Sequence, residues 1–392
     1  MTRAISSLTT VAVFLTLASC GSEAGTTSDG IERIATLELE KSFPQAFSYL
    51  SHIRGLSDGT ILAADPTAQL LLRLEFEAGT ADTIGRQGAG PQEYEGPDLV
   101  LPLPGDSTLL VDLGNGRFIV IDPEGTFVDW TPMTVATGNG QSRTVHPRSV
   151  DDAGYIYADA PHFLEGPPDS LGIHRIDRVT GEETRVAKRW RTQYVRRERR
   201  PTLVLYDDWA VGSDGRIVVV HANDYSVEWF LTDGSVIAGP PNSAERFPVG
   251  PAEMDAEIEI MASEGTFSTV LVSEDGSEDL QISRGLPASF FEDRGRFEWP
   301  ETLPVFRVGK TIVSPAGEAW VHRMMPAGSH ERVEVFDARG SRLGFAELPP
   351  RSRIVSFGSG ADANEIAYVA RTDDMGLVWL ERYRIIRTDD RR

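Results

Sequence analysis

The chain of 392 residues contains a single cysteine, Cys20, so no disulfide can form within it. Whatever holds the fold must be packing and hydrogen bonding. Beyond the first twenty residues there is no apolar run near the about 18 residues that a membrane-spanning helix needs. Recognisable catalytic signatures are missing as well: there is no P-loop, no G-x-S-x-G elbow, no H-E-x-x-H and no C-x-x-C. Positive charge is scarce too. Lys and Arg number 38 against 59 Asp and Glu, a net charge of −21. A surface so acidic stays soluble and repels polyanions, which excludes nucleic acid as a partner.

The N-terminus is expected to be a targeting signal. Arg3 supplies a positive start, Ala4 to Leu17 an apolar stretch, and Leu17-Ala18-Ser19-Cys20 closes it. That ending resembles the lipobox of bacterial lipoproteins. The resemblance implies cleavage before Cys20 and acylation of its thiol and new amine, a membrane anchor by lipid rather than by a spanning helix. Gly21 follows the cysteine where an aspartate would imply inner-membrane retention, so the expected location is the cell envelope, at the outer membrane. Residues 1–19 are read as the signal peptide and 20–30, small and polar, as a flexible tether.

From residue 31 onward the chain is organised by its turns, whose glycines and aspartates are set by backbone geometry while strand residues drift. A first turn recurs at Asp58-Gly59, Gly105-Asp106, Asp152-Gly154, Asp214-Gly215, Ala316-Gly317 and Gly360-Asp362. A second follows at Gly79, Gly125, Gly181, Gly234 and Gly340. Short β-rich runs lie between them, such as Thr60 to Ala64, Ile217 to His221 and Ala319 to Arg323. Arg332 to Phe336 alternates Val333 and Val335 with charged residues, the period of a strand with one wetter face. Regular short strands with such turns argue for radially repeated sheets.

The stretch from Gly85 to Gly125 places a glycine-rich loop ending at Tyr94 before a strand, a Gly-Asp turn, a strand ending at Asp112, then Asn115, Arg117 and Phe118. This order resembles the NHL family of six-bladed β-propellers. The resemblance implies an all-β, six-bladed propeller over residues 31–388, and assigns Asp112, Asn115 and Arg117 to stabilising a blade. The loop Gly85-Arg86-Gln87-Gly88-Ala89-Gly90 is a turn between blades rather than a phosphate cradle, because Pro91 leaves no room for a helix start. The last repeat is one strand short, and the strand at Ile31 to Leu39 has no repeat of its own. It is therefore expected to complete the last blade and close the ring. An insertion after blade four, about residues 243–306, is expected to hold a helix opened by Pro251 and ended at Gly265. Met254, Ile258 and Met261 form its apolar stripe, expected to pack on the propeller.

Propellers gather ligand groups where their innermost strands begin. Those positions hold His52, Arg54, Asp98, His146, Arg148, Asp207, Asp208 and Arg307, with Arg351 and Arg353 in the last repeat. Histidines and aspartates in this set could surround a metal ion, and Arg54, Arg148 and Arg307 could hold an anion. A second feature is the basic run from Arg185 to Arg200, eight basic residues and one acid. In it Arg189, Trp190, Arg191, Arg196 and Arg197 offer a docking patch for an acidic partner. The expected function is non-catalytic: an envelope lipoprotein, tethered through Cys20, whose propeller binds another envelope protein, a peptide or a glycan without a cofactor. The alternative is a metal-dependent hydrolase or lyase, lactonase-like or amidating-lyase-like, working at the channel mouth.

Overall fold

A computed structural model describes residues 30–136, 142–159, 171–190, 199–264, 266–272, 278–284, 288–358 and 365–388. Cys20, Arg191, Arg196, Arg197 and the turn at Gly360-Asp362 lie outside them.

The described chain is all-β in a propeller-like arrangement. Four antiparallel four-stranded sheets follow one another along the sequence, spanning residues 53–83, 97–132, 147–189 and 208–238. Within each, the strands pair in chain order. The turns are where glycine spacing puts them: Gly59, Gly79, Gly125, Gly215 and Gly234 all take positive φ at hairpin ends, a conformation that costs other residues steric energy.

The sheet with the most strands among the described residues has eight. Residues 312–348 supply one run of four and residues 352–387 a run of three. The strand β1 (Arg33–Ser42) lies between them. It pairs in parallel with β2 (Arg342–Leu348), Ala35 opposite Ala346, and antiparallel with β3 (Val378–Arg387), Leu37 opposite Ile385. The N-terminal strand thus adds to the C-terminal one, as its orphan position in the sequence predicts, and also welds two groups of strands.

The core sits between sheets. One cluster joins Ile53, Leu72 and Leu74 to Val355, Ala370 and Leu380, so the first sheet packs on the last strands of the chain. Another joins Leu62 and Leu71 to Val100 and Ile119. A third joins Leu109 and Phe118 to Val150 and Ile156. Tyr157 and Ile173 meet Trp209 and Val219 in a fourth. Each fully buried apolar side chain contributes about 1.5–3 kcal/mol, so these contacts dominate the favourable side of folding.

Because sheets pack on both faces, the wetter face expected at Glu334 does not exist. Glu334 is fully buried. Val333 and Val335 face one neighbouring cluster and Phe336 the other, which leaves the carboxylate inside protein on either reading of the alternation.

Between Ala238 and Ile312 the chain forms α1 (Pro251–Glu264), with the boundaries that Pro251 and Gly265 imply. It also forms a hairpin, Thr266–Val272 with Glu278–Arg284, that the turn pattern did not reveal. Beyond it Phe290, Phe291, Phe297 and Trp299 stack into one aromatic cluster.

Candidate functional site

The three residues assigned to stabilising a blade, Asp112, Asn115 and Arg117, do act as fasteners. Asp112 is fully buried and accepts hydrogen bonds from the backbone NH groups of Glu95 and Gly96, from Asn115 Nδ2 and from Arg117 Nε. Arg117 also donates to the carbonyls of Ala89 and Glu93, and Asn115 to that of Gly88. Together they tie down the glycine-rich loop, which is therefore no phosphate cradle.

The channel set divides. Arg54 is buried and donates to Asp106 and to Thr108 Oγ1, joining the first sheet to a turn of the second. Arg148 Nη2 donates to Asp208 Oδ1 at 2.6 Å and lies over the Trp209 ring. Asp208, with no solvent exposure, also accepts from the NH groups of Gly309 and Thr311. Burial would raise its pKa, but Arg148 and these donors outweigh it and hold the carboxyl below its usual range. Asp207 accepts from the NH groups of Trp190 and Ala222 and lies 3.0 Å from His221 Nδ1. An anion held jointly by Arg54, Arg148 and Arg307 is thereby corrected, since the first two guanidinium groups are already spent on internal partners.

His52, Asp98 and His146 do share one environment, for the Asp98 charge acts on both histidines. Burial, then Arg353, drives His52 down to about 4 against the pull of Asp98. Burial lowers His146 as well. Both imidazoles are therefore neutral at pH 7. Yet among the described residues no three His, Cys, Asp or Glu side chains come together to hold a metal ion. Among the described residues, His52, Asp98 and His146 do not form the cage of carboxylates or histidines that a lactonase-like or amidating-lyase-like site implies.

The basic run also loses its near end. Arg189 is buried, with Nε and Nη2 on the two oxygens of Asp159 and Nη1 on the Asp207 carbonyl. Trp190 is partly buried and packs against the core. A guanidinium locked in a bidentate pair inside the protein cannot dock a partner; this part of the patch is corrected.

A different place has the shape of a site. A cavity of about 500 Å³ opens beneath α1, within the range of small-molecule pockets. Its roof is Ala252, Asp255, Ala256, Glu259, Ile260 and Ser263, spaced i, i+3, i+4, i+7, i+8 and i+11 along one helix face. The stripe Met254, Ile258 and Met261, expected to pack on the propeller, lies on the opposite side at 100° per residue and is half-buried. Arg307, Lys310, Arg351 and Arg353 form a basic arc around the cavity, and Met324, Met325 and Pro326 an apolar wall. Arg351 holds a left-handed φ of 57°, a conformation that costs a non-glycine residue energy and that recurs at ligand sites.

Glu331 and His322 also line it, with Glu331 Oε2 3.4 Å from His322 Nε2 and Oε1 accepting from the Arg351 NH. Burial pushes the Glu331 carboxyl up to about 7, opposed by the Arg307 charge and that NH. Neither residue was foreseen. The one signal was Met324-Met325-Pro326, a methionine pair out of pattern at a strand end.

The raised carboxyl has a measurable consequence. The folded protein keeps its proton on Glu331 between about 4.5 and about 7, where the unfolded chain has released it. Its contribution to stability is therefore complete below about 4.5 and is lost as the pH rises through about 7. Glu331→Gln, which cannot ionise, should match the parent near pH 4.5 and exceed it above pH 7 by roughly 3 kcal/mol. Thermal melts at the two pH values check this; parallel curves for variant and parent would refute it.

No protein-family model and no curated protein sequence matches the chain. Among solved structures it is similar to a Bacteroides fragilis protein proposed to be exported, at 10% identity over 92% of this chain and 97% of that one, with a TM-score of 0.47. It is also similar to a gluconolactonase from Xanthomonas campestris, at 12% identity over 89% and 94% of the chains and a TM-score of 0.40. A virginiamycin B lyase from Staphylococcus aureus gives 9%, 90%, 100% and 0.38. Likenesses of this depth assign neither an activity nor a ligand.

Proposed function

We propose that the protein is a six-bladed β-propeller lipoprotein that binds a small ligand, without transforming it, in the cavity beneath α1. The eight-stranded sheet counts as two blades: residues 312–348 form the fifth, and residues 352–387 with β1 the sixth. Pairing of the chain ends through β1 and β3 supports that count. Acylated Cys20 tethers the propeller to the envelope, by the lipobox-like residues before it. In this reading the helix-bearing segment after the fourth blade is a roof added to an otherwise open ring.

The observation that carries the reading is the cavity itself, which combines a basic arc, a methionine wall and a helical roof. Its test is capture from an envelope extract by the parent protein and by Ala256→Trp, which fills the cavity from its roof, followed by mass spectrometry of the released small molecules. A compound enriched by the parent and not by the variant supports the site; equal enrichment, or none, refutes it. The tether has its own test. Cys20→Ala is expected to leave the protein unprocessed or free of the membrane, and a mature, membrane-bound variant would contradict lipidation.

A further inference from the structure

Two arginines of the basic arc are occupied by the roof. Arg307 Nη1 lies 2.9 Å from Glu257 Oε2, both side chains largely buried. Arg351 pairs with Glu259, and less closely with Asp374 at 3.4 Å. On the helix Glu253 adds a third tie, its Oε1 accepting from the Ala327 NH at the cavity rim. The carboxylates of α1 thus occupy positions in which an arginine fork binds any carboxylate. Beside them Ile260, Met324, Met325 and Val378 present an apolar surface with room next to it.

We propose that the ligand is an amphiphilic organic carboxylate, whose anionic head takes Arg307 and Arg351 from Glu257 and Glu259 while its apolar part lies against Ile260, Met324 and Met325. This rests on the cavity being the binding site and names the class of its occupant. The energetics favour exchange over simple addition. Replacing one carboxylate by another at a guanidinium is close to neutral, since the charged pair lost and the charged pair gained are of the same kind. The displaced glutamates, on a helix at the surface, regain water. What is left over is burial of the apolar part, at about 0.8 kcal/mol per methylene. A cation of the same shape would face the arginines without compensation, and a neutral one would leave the existing pairs in place.

The exchange makes a prediction that a purely structural role for these ion pairs does not. Octanoate and octylamine, which share a tail and differ in the sign of the head, are titrated into the full chain by calorimetry. The parent is expected to bind octanoate saturably and octylamine not measurably, and Ala256→Trp to bind neither. Arg307→Gln should weaken octanoate by about tenfold or more, the cost of a lost charged partner. Glu257→Gln should tighten it by about three- to tenfold, because it removes the internal competitor. Octanoate affinity unchanged or weakened in Glu257→Gln overturns the exchange, and so does no octanoate binding by the parent. Octylamine binding that Ala256→Trp abolishes would overturn the anionic class while leaving the cavity as the binding site. Because Glu257→Gln is read by a gain in affinity, misfolding cannot mimic the expected result.

Discussion

Deleting residues 31–42 is expected to lower the melting temperature by more than about 10 °C, the largest effect of any change considered. The loss follows from position. β1 pairs along most of its length with β3 and at its start with β2, and Ala35 is buried in the cluster that holds Val333, Ala346 and Ile385. Removing it uncovers two sheet edges at once and separates the only two groups of strands that share a sheet among the described residues. The exposed ladders of β2 and β3 would then be templates for pairing between molecules, so aggregation on heating should accompany the lower midpoint. A peptide of residues 31–42 added back should recover part of the loss. If the truncated protein melts like the intact one, the chain ends do not close the ring.

Glu334→Ala is expected to cost about 3–5 kcal/mol, the penalty for stranding a buried charge. Glu334 lies 3.0 Å from Arg323 Nε and 3.1 Å from Arg342 Nη1, and it accepts from the Tyr225 hydroxyl. Arg323 is itself almost fully buried, and it also donates to the carbonyls of Val305 and Glu245. Those two carbonyls flank the helix-bearing segment at its two ends. The substitution should therefore loosen that segment as well as the strands of residues 312–348, raising amide hydrogen exchange near 245 and 305 before global unfolding. Replacing both charges, as in Glu334→Leu with Arg323→Met, should recover only part of the loss, because Arg342 and the Tyr225 hydroxyl still lose their acceptor. A cost below about 1 kcal/mol for Glu334→Ala would show that the buried network is not a unit.

These two cases mark where sequence is a good guide and where it is not. β1 was legible because a strand without a repeat of its own must pair somewhere, and the last repeat lacked one strand. The ends of α1 were legible for a similarly local reason, proline at its first position and glycine after its last. Turn glycines were legible because positive φ is a backbone demand that few residues meet. Glu334 was misread, since alternation alone cannot distinguish a face turned to water from one turned to the next sheet. The same limit hid the cavity. Arg307 was on the candidate list, but Glu331, His322 and Glu257 come from a strand start, a strand end and a helix, and only packing brings them together. Arg54, Arg148 and Asp208 failed in the opposite way: the right residue types at strand starts, consumed by bonds between neighbouring sheets.

The most direct measurement follows a compound captured beneath α1 through time. It is incubated with the parent protein in sub-stoichiometric, stoichiometric and excess amounts, with chelator present and again with divalent metal added, and both bound and free fractions are assayed for chemical change. Saturable binding with the compound recovered unaltered in every condition is the predicted result. Its conversion by catalytic amounts of protein, lost in Ala256→Trp, would contradict a binding role and make the cavity an active site.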